Sequence, residues 1–169
     1  YAQTRKATIF GSSRTPPNHP EYLQADRFAR RMREKDWMVI TGAGDGIMRA
    51  GHDGAGRDAS FGVAIRLPFE QKTNPVIAAD AKLVNFKYFF TRKLMFVKEC
   101  DAVVCLPGGF GTLDEGMEVI TLLQTGKIRK RLPLVLFGAE FWAEVVNLDA
   151  LVRFGTISPG DLELFFRTD

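Results

Sequence analysis

The sequence is poor in the residues that bind metals and form disulfides. It has two cysteines and two histidines among 169 residues. Neither histidine has a cysteine or carboxylate neighbour at ligand spacing, so we expect no metal site and assign His19 and His52 to surface or helix-cap roles. Cys100 and Cys105 bracket one predicted strand. Their odd separation predicts opposite faces and no disulfide between them, and reduced cysteines are typical of a cytosolic protein.

Long apolar runs are also absent. One of the longest, at residues 132–137, is far shorter than the roughly 20 residues that cross a bilayer. No signal-peptide pattern precedes the first predicted strand. We therefore expect a cytoplasmic protein without a membrane partner. The 46% hydrophobic and 25% charged fractions predict a single globular domain over residues 1–169.

The excess of positive charge is small. The formal net charge is +3, with basic clusters at residues 27–33 and 127–131. In the first predicted helix the basic residues alternate with acids, and no zinc-finger, RNA-recognition or basic-zipper pattern accompanies them. We expect no nucleic-acid partner, and the basicity suits the attraction of small phosphorylated anions.

Short β-branched runs alternate with amphipathic segments along the chain. This alternation predicts an α/β fold, a Rossmann-like three-layer α/β/α sandwich with a mainly parallel, doubly wound sheet. Strands are expected near residues 6–11, 37–41, 60–66, 81–85, 101–106 and 132–137, and helices near residues 20–35, 46–57, 86–99, 112–125 and 140–154. Ligands bind beyond the carboxyl ends of such strands. The loops at residues 11–15, 41–46, 68–75 and 107–112 should therefore converge on one site.

The most informative segment is residues 103–115, where an apolar strand enters a glycine-rich turn that opens a helix. Gly108, Gly109 and Gly111 let the backbone approach an anion, and the first N–H groups of the helix favour negative charge. Glu115, one turn inside, suggests chemistry next to a bound phosphate, for instance at a ribose. Thr112 and Glu115 also match a capping box, in which each side chain bonds the other's backbone N–H. Thr112 can serve both purposes.

A second glycine cluster, at residues 42–46, resembles a dinucleotide-binding turn only superficially. Its spacing is G-x-G-x-G instead of G-x-G-x-x-G, and the next strand ends in Arg66 where an NAD site requires an acid. Neither glycine-rich turn is followed by Lys-Ser or Lys-Thr, so no ATP-binding P-loop is present. Some of these glycines serve the turn or the helix start, while others line a nucleotide pocket.

The predicted helix at residues 86–99 carries a heavy apolar stripe, whose aromatic residues we expect mostly in the core. Arg92 and Lys93 interrupt the stripe. Either both cover the surface or pair with acids such as Glu99, or Arg92 reaches over a phosphate or ribose, where a planar fork of donors binds oxyanions well.

Three segments, taken in order, resemble the Lonely Guy (LOG) family, formerly labelled lysine decarboxylase-like. They are Thr-Gly-Ala-Gly-Asp-Gly-Ile-Met at residues 41–48, Phe-Thr-Arg-Lys-Leu-Met at 90–95 and Pro-Gly-Gly-Phe-Gly-Thr-Leu-Asp-Glu at 107–115. Residues 67–71, 74–75 and 88–93 resemble the longer bacterial branch of that family more than the plant branch. The chain departs from the usual family pattern at Ala43, Asp45 and Arg49.

The resemblance implies an enzyme that hydrolyses the N-glycosidic bond of a cytokinin riboside 5′-monophosphate to the free base and ribose 5-phosphate. It makes Arg92 and Glu115 the catalytic pair. The positions expected to bind the nucleoside 5′-monophosphate are Ser12, Gly44, Glu70, Lys93, Gly108, Gly109, Phe110, Gly111, Thr112 and Thr121. It further implies a homodimer or an assembly of dimers, and we expect no cofactor and no metal.

Other functions remain open on the residues alone. Base loss from a ribose passes through an oxocarbenium-like state that a carboxylate stabilises, which suits Glu115. The older decarboxylase label would need a Schiff-base lysine, and no lysine stands in a recognisable context. A non-catalytic carrier or sensor of a nucleotide or phosphorylated cofactor fits the same fold. Met117, Leu122 and Leu123 suit either a dimer face or the core.

Overall fold

The computed structural model describes residues 1–67 and 72–169, and the predicted alternation of strands and helices is present. The strands are β1 (Lys6–Phe10), β2 (Met38–Thr41), β3 (Ser60–Ile65), β4 (Leu83–Phe86), β5 (Ala102–Cys105), β6 (Leu134–Phe137) and β7 (Phe166–Thr168). The α-helices are α1 (Pro20–Arg33), α2 (Ile47–Ala55), α3 (Phe89–Lys98), α4 (Phe110–Gln124), α5 (Ala139–Val145) and α6 (Leu148–Arg153). Short 3-10 helices occupy Arg57–Ala59 and Pro159–Glu163.

The seven strands form one parallel sheet in the order β4-β3-β2-β1-β5-β6-β7. The chain adds β2, β3 and β4 on one side of β1, then returns and adds β5 to β7 on the other side. The direction of strand addition therefore reverses between β1 and β5, which is where ligands bind in open parallel sheets. Phe10 at the end of β1 is paired with Cys105 at the end of β5, so the loops that follow them are neighbours.

Alternate residues of the central strands supply two separate cores. Ile9 and Val104 pack in a cluster with α1 and α2, while Phe10 and Val103 pack with α3 and α4. Successive side chains of a strand point to opposite faces of a sheet, so both faces of this one are covered by helices. The predicted three-layer, doubly wound architecture is confirmed.

Two elements near the C-terminal end differ from the prediction. The helix expected at residues 140–154 is interrupted, because Val146 is extended and the Asn147 side chain caps α6 by accepting a 3.0 Å hydrogen bond from the Ala150 amide. Strand β7 was not predicted. It has three exposed residues at the sheet edge, which is too short and too polar a segment to show strand periodicity.

Three expectations about individual side chains also need correction. Cys100 precedes β5, so strand alternation does not apply to it, and both cysteines lie reduced in the same core cluster. His52 is completely buried, whereas His19 caps α1 as expected by accepting from the Glu21 amide. Phe89 and Phe90 are exposed, because only part of the wide apolar stripe of α3 faces the core.

Within residues 1–67 and 72–169, every helix is too short or too polar to cross a lipid bilayer. The same described residues contain no cluster of three or more His, Cys, Asp or Glu side chains arranged to hold a metal ion.

Candidate active site

A cleft of about 560 Å³ opens at the carboxyl ends of β1 and β5. It lies where the strand order reverses, as expected for an open parallel sheet. Its walls come from the loops after β1, β2 and β5 and from the first turns of α2, α3 and α4. The described lining residues are Phe10, Gly11, Ser12, Ser13, Arg14, Gly42, Met48, Phe89, Arg92, Gly109, Phe110, Gly111, Thr112, Asp114 and Glu115.

The loop after β1 links the other walls of the cleft. The Ser12 amide donates a 3.0 Å hydrogen bond to the Pro107 carbonyl, and the Ser12 carbonyl accepts a 2.9 Å bond from the Ile47 amide. Gly46 has φ +63°, and a Cβ there would lie 2.2 Å from the Ser12 carbonyl oxygen. Glycine is therefore required at the start of α2, and three of the four predicted loops converge as expected.

The phosphate loop, residues 107–112, leads directly into α4. The helix begins at Phe110 with Gly109 as its N-cap, and no side chain caps it. The predicted capping box is therefore wrong: Thr112 occupies the third helical position and cannot act as the N-cap. The first N–H groups of a helix have no intrahelical partner. Here they lie among residues that line the cleft, so they are available to an anion.

Glycine occupies the three positions of the phosphate loop for different structural reasons. A Cβ on Gly108 would lie 2.2 Å from Thr112 Oγ1 and 3.0 Å from the Ser12 nitrogen, so packing within the protein requires this glycine. At Gly109 and Gly111 a Cβ would meet no atom within 4 Å. These two positions leave open space at the helix start, which a bound group can occupy.

Glu115 lies on α4, one turn beyond the phosphate loop, and is 7% exposed. Burial raises the pKa of its carboxyl group to about 7, although the positive charges of Lys93 and Arg92 act in the opposite direction. Both protonation states are therefore populated near neutral pH. A group with this property can accept and return a proton efficiently at physiological pH.

Arg92 lines the cleft from α3, and its contact with a phosphate or ribose stays a prediction. Its Nε donates a 3.0 Å hydrogen bond to the Val63 carbonyl, and its guanidinium lies 5.1 Å from the centre of the Phe96 ring. A Cβ on Gly42 would lie 2.6 Å from Arg92 Nη2, so the guanidinium abuts the loop after β2. Burial lowers the pKa of Arg92 while the Glu115 charge raises it, and an arginine remains cationic in proteins.

Lys93, the predicted basic neighbour, joins α3 to α4 through carboxylates. Its Nζ lies 2.7 Å from Asp114 Oδ2, 2.7 Å from Glu118 Oε2 and 4.0 Å from Glu115 Oε2. Burial lowers the pKa of Lys93, but the hydrogen bonds to Asp114 and Glu118 outweigh burial and leave the pKa above its ordinary value. Lys93 is not among the described cleft-lining residues, and its contact with substrate stays a prediction.

The remaining predicted contacts lie in different places. Ser12 and the 92% exposed Phe110 line the cleft. Gly44 lines an adjoining cavity of about 220 Å³, which shares Gly42 with the cleft. Thr121 is exposed farther along α4, where its hydroxyl donates to the Met117 carbonyl. Glu70 lies outside the described residues.

Sequence reasoning did not single out several side chains of the cleft, among them Arg14, Phe89 and Met48. Arg14 belongs to a loop that we expected at the site, but no sequence motif indicated that its side chain would line the cleft. Phe89 was assigned to the core with the other aromatics of α3, and it is 54% exposed at the cleft. Met48 follows the second glycine cluster and also lines the cleft. Apolar spacing alone does not distinguish a ligand-facing aromatic from a core-facing one.

Comparison with known proteins identifies relatives of this chain. A family model described as "Possible lysine decarboxylase" matches residues 43–169. An Arabidopsis thaliana protein named "Probable cytokinin riboside 5'-monophosphate phosphoribohydrolase LOG6" is 35% identical over 132 residues, which are 76% of this chain and 63% of that protein. An Oryza sativa subsp. japonica protein named probable phosphoribohydrolase LOG4, of the same cytokinin type, is 28% identical and covers 98% of this chain and 72% of its own length. The chain thus spans less than two thirds of the first relative.

Solved structures share the fold at low identity. The molybdenum cofactor binding protein from Rippkaea orientalis superposes with a TM-score of 0.65 at 16% identity. The match covers 100% of this chain and 91% of that protein. The molybdenum cofactor carrier protein from Chlamydomonas reinhardtii superposes with a TM-score of 0.62 at 16% identity. The match covers 99% of this chain and 91% of that protein.

Proposed function

The chain belongs to the Lonely Guy family, whose model is described as possible lysine decarboxylase, and on that premise we propose that it is a nucleoside 5′-monophosphate phosphoribohydrolase. It hydrolyses the N-glycosidic bond of AMP or an N6-modified AMP and releases the free base and ribose 5-phosphate. The names of its relatives specify cytokinin riboside 5′-monophosphates as their substrates.

One observation supports this function above the others. A buried carboxyl group, Glu115, whose pKa is about 7, shares a cleft with the Arg92 guanidinium and the uncapped start of α4. Phosphate held at the helix start by Gly109, Phe110 and Gly111 would place the attached ribose next to Glu115 and Arg92. A carrier has no need for a carboxyl group titrating near neutral pH at this position.

The reaction follows from these groups. Water is the nucleophile, and its oxygen forms a bond to C1′ of the ribose while the bond from C1′ to the base nitrogen breaks. The Glu115 carboxylate accepts one proton from the attacking water. The departing base keeps the bonding electron pair and takes a proton from bulk water, to which Glu115 later returns the proton it accepted. Positive charge that develops on the ribose is stabilised by the same carboxylate. Arg92 fixes the phosphoribosyl group through charge-assisted hydrogen bonds.

Decarboxylation of lysine does not fit the cleft. That reaction requires a lysine that forms a Schiff base with an aldehyde cofactor. None of the described residues that line the cleft is a lysine.

A second candidate is a non-catalytic carrier or sensor of a nucleotide or phosphorylated cofactor. The shared fold of the molybdenum cofactor carrier makes the same helix start available to the phosphate of a cargo. This candidate needs Gly109 and Gly111 but no titrating carboxyl group, and it predicts that loss of Arg92 only weakens binding.

The purified chain should release free base and ribose 5-phosphate when incubated with AMP or N6-isopentenyl-AMP. Glu115→Gln should bind both nucleotides but release base about 10²–10⁴-fold more slowly, because the amide cannot accept the proton of water. Liquid chromatography of the base and calorimetric binding of the nucleotide measure the two effects separately. Nucleotide binding without base release by either protein would refute the hydrolase and favour the carrier.

A further inference from the structure

His52 is a completely buried titratable side chain that the proposed reaction does not use. It lies on α2 with no exposed surface, between the end of β2 and the segment that follows residue 72. Burial lowers the pKa of His52, so the ring is neutral at physiological pH. A neutral imidazole has one donor and one acceptor nitrogen, and its neighbours determine which is which.

The contacts of the ring assign its tautomer. Nε2 lies 3.0 Å from the Phe61 carbonyl oxygen, which can only accept, so Nε2 carries the proton. Nε2 also lies 3.0 Å from Thr41 Oγ1. Nδ1 is then the acceptor, and it receives a 3.0 Å hydrogen bond from Asn74 Nδ2. Asn74 Oδ1 lies 3.2 Å from the same nitrogen but cannot donate to it, so Nδ2 is the partner and the ring anchors the buried Asn74 side chain.

Asn74 connects the His52 ring to the glycine loop, residues 42–46. Its Nδ2 donates a second hydrogen bond, of 3.0 Å, to the Gly44 carbonyl, which uses the other amide hydrogen. Its backbone amide donates to the Ala43 carbonyl at 2.9 Å. A reversed Asn74 amide would present its oxygen to Gly44 and lose this bond. The Gly44 carbonyl thus sets which way the Asn74 amide faces, while His52 anchors the side chain, and both bonds hold the loop.

Thr41 forms the second connection from His52 to the same loop. Its hydroxyl oxygen accepts a 3.0 Å hydrogen bond from the Ala43 amide. Ala43 has φ +64°, a conformation that costs a residue with a Cβ about 1 kcal/mol or more. The surrounding hydrogen bonds must therefore maintain a strained turn, which would relax if they were lost.

The strained turn lies directly against a catalytic group. Gly42 precedes Ala43, and its backbone lies next to Arg92 Nη2, since a Cβ on Gly42 would be 2.6 Å from that atom. The other end of the guanidinium is fixed by the bond from Nε to the Val63 carbonyl. The backbone at Gly42 thus limits where the Nη groups can lie in the cleft.

We propose that His52 is a positioning residue, which holds the glycine loop through Asn74 and Thr41 and thereby fixes the Arg92 guanidinium in the cleft. The inference rests on the proposed function for its catalytic consequence, although the hydrogen-bond network is independent of that function. His52 does not line the cleft and acts only through the loop.

The test compares two variants of His52. His52→Leu removes both hydrogen-bonding atoms. His52→Gln keeps an acceptor and a donor, because the oxygen and nitrogen of its amide are joined through one carbon, as the two ring nitrogens of imidazole are. His52→Leu should lower kcat for base release about 10–100-fold, since a small displacement of a catalytic group costs this much. KM should change less than kcat, and His52→Gln should restore much of kcat. Hydrogen exchange at the Ala43 amide should accelerate in His52→Leu and not in His52→Gln.

Ser60→Ala is the matched control, because Ser60 is equally buried and donates to the Gly56 carbonyl, away from the cleft. It should lose stability but keep kcat. If His52→Leu kept the wild-type kcat and Ala43 exchange rate, or if Ser60→Ala lowered kcat equally, the proposal would be overturned. If His52→Leu does not fold, ¹⁵N NMR of the wild-type protein tests the proposal instead, because it reports which ring nitrogen of His52 carries the proton. A proton on Nε2 would support the network, and a proton on Nδ1 would contradict it. If the wild-type protein released no base, only the proposed hydrolase function would be refuted. Hydrogen exchange at the Ala43 amide would still test whether His52 holds the glycine loop.

Discussion

Glu115 combines two demands that oppose each other at a single residue. Catalysis needs its carboxylate form, while the buried position favours the neutral acid and raises the pKa to about 7. The cations Lys93 and Arg92 limit this effect. A carboxyl group with an ordinary pKa would be a weaker base, and one without nearby cations would remain protonated. The surroundings of Glu115 hold its pKa between these limits, as the proposed role of a base requires.

Glu115→Gln should stabilise the folded chain, increasingly as the pH rises. Between the ordinary pKa of glutamate and about 7, folded Glu115 keeps a proton that the unfolded chain releases, so wild type loses stability as the pH rises through this window. Glutamine has no such loss. The difference in unfolding free energy between variant and wild type should grow by about 2 kcal/mol from about pH 5 to about pH 8. Urea titration monitored by circular dichroism measures this difference, and a pH-independent one would contradict the raised pKa.

At the scale of elements, the start of α4 is where we propose that the phosphate of the ligand binds. Its two accessible glycines, Gly109 and Gly111, have neither positive φ nor a crowded Cβ position. Packing within the protein therefore does not require glycine at these two positions. It keeps the first N–H groups of the helix open, and these groups attract anions together with the helix dipole.

Gly111→Ala should separate stability from binding. Alanine favours a helix over glycine by up to about 1 kcal/mol, so the melting temperature should stay constant or rise. The added methyl group occupies the open space at the helix start, and AMP should bind about tenfold or more weakly through loss of a charge-assisted hydrogen bond. Calorimetry gives the affinity and circular dichroism the melting temperature.

Gly160→Ala provides the control for this substitution. A Cβ at Gly160 also meets no atom within 4 Å, and the residue lies in a 3-10 helix that does not line the cleft. It should leave AMP affinity unchanged. Wild-type affinity of Gly111→Ala would show that the start of α4 does not bind the phosphate.

At the scale of the whole molecule, we propose that the chain forms a homodimer through the outer side of α3 and α4. Phe90 and Leu94 are 70% and 61% exposed there. They line a surface depression of about 620 Å³ together with the half-buried Leu122. Met117, Leu122 and Leu123 all pack partly against the core, so core packing accounts for these three residues in part. An apolar surface of this kind is typical of a protein interface.

Leu94→Lys should convert the dimer to a monomer, because it places a charge within the apolar contact. Leu23→Lys, at a 50% exposed leucine on α1, should leave the dimer intact. Light scattering coupled to size exclusion, at one protein concentration for all three proteins, measures the mass. A monomeric wild type would refute the dimer, and a dimeric Leu94→Lys would place the interface elsewhere.

Much of the fold and part of the site could be predicted from local sequence. The glycines at residues 108–111, followed by Glu115, indicated a helix start with a carboxyl group nearby, and the structure has both. The capping box was predicted wrongly because Thr-x-x-Glu does not specify where the helix begins, and α4 begins two residues earlier than predicted. The burial of His52 was missed because its partners Asn74 and Phe61 are distant in sequence.

The sequence by itself determined the alternation of elements, the parallel sheet and the loops that reach the ligand, because hydrophobic periodicity and glycine-rich turns are local properties of the chain. Only the tertiary structure decided the pKa of Glu115, the tautomer of His52 and the contact of Arg92 with Gly42. These properties depend on burial and on atoms brought together from separate elements. A linear pattern carries no information on the distances between such atoms, and the energies of charges and hydrogen bonds depend on those distances.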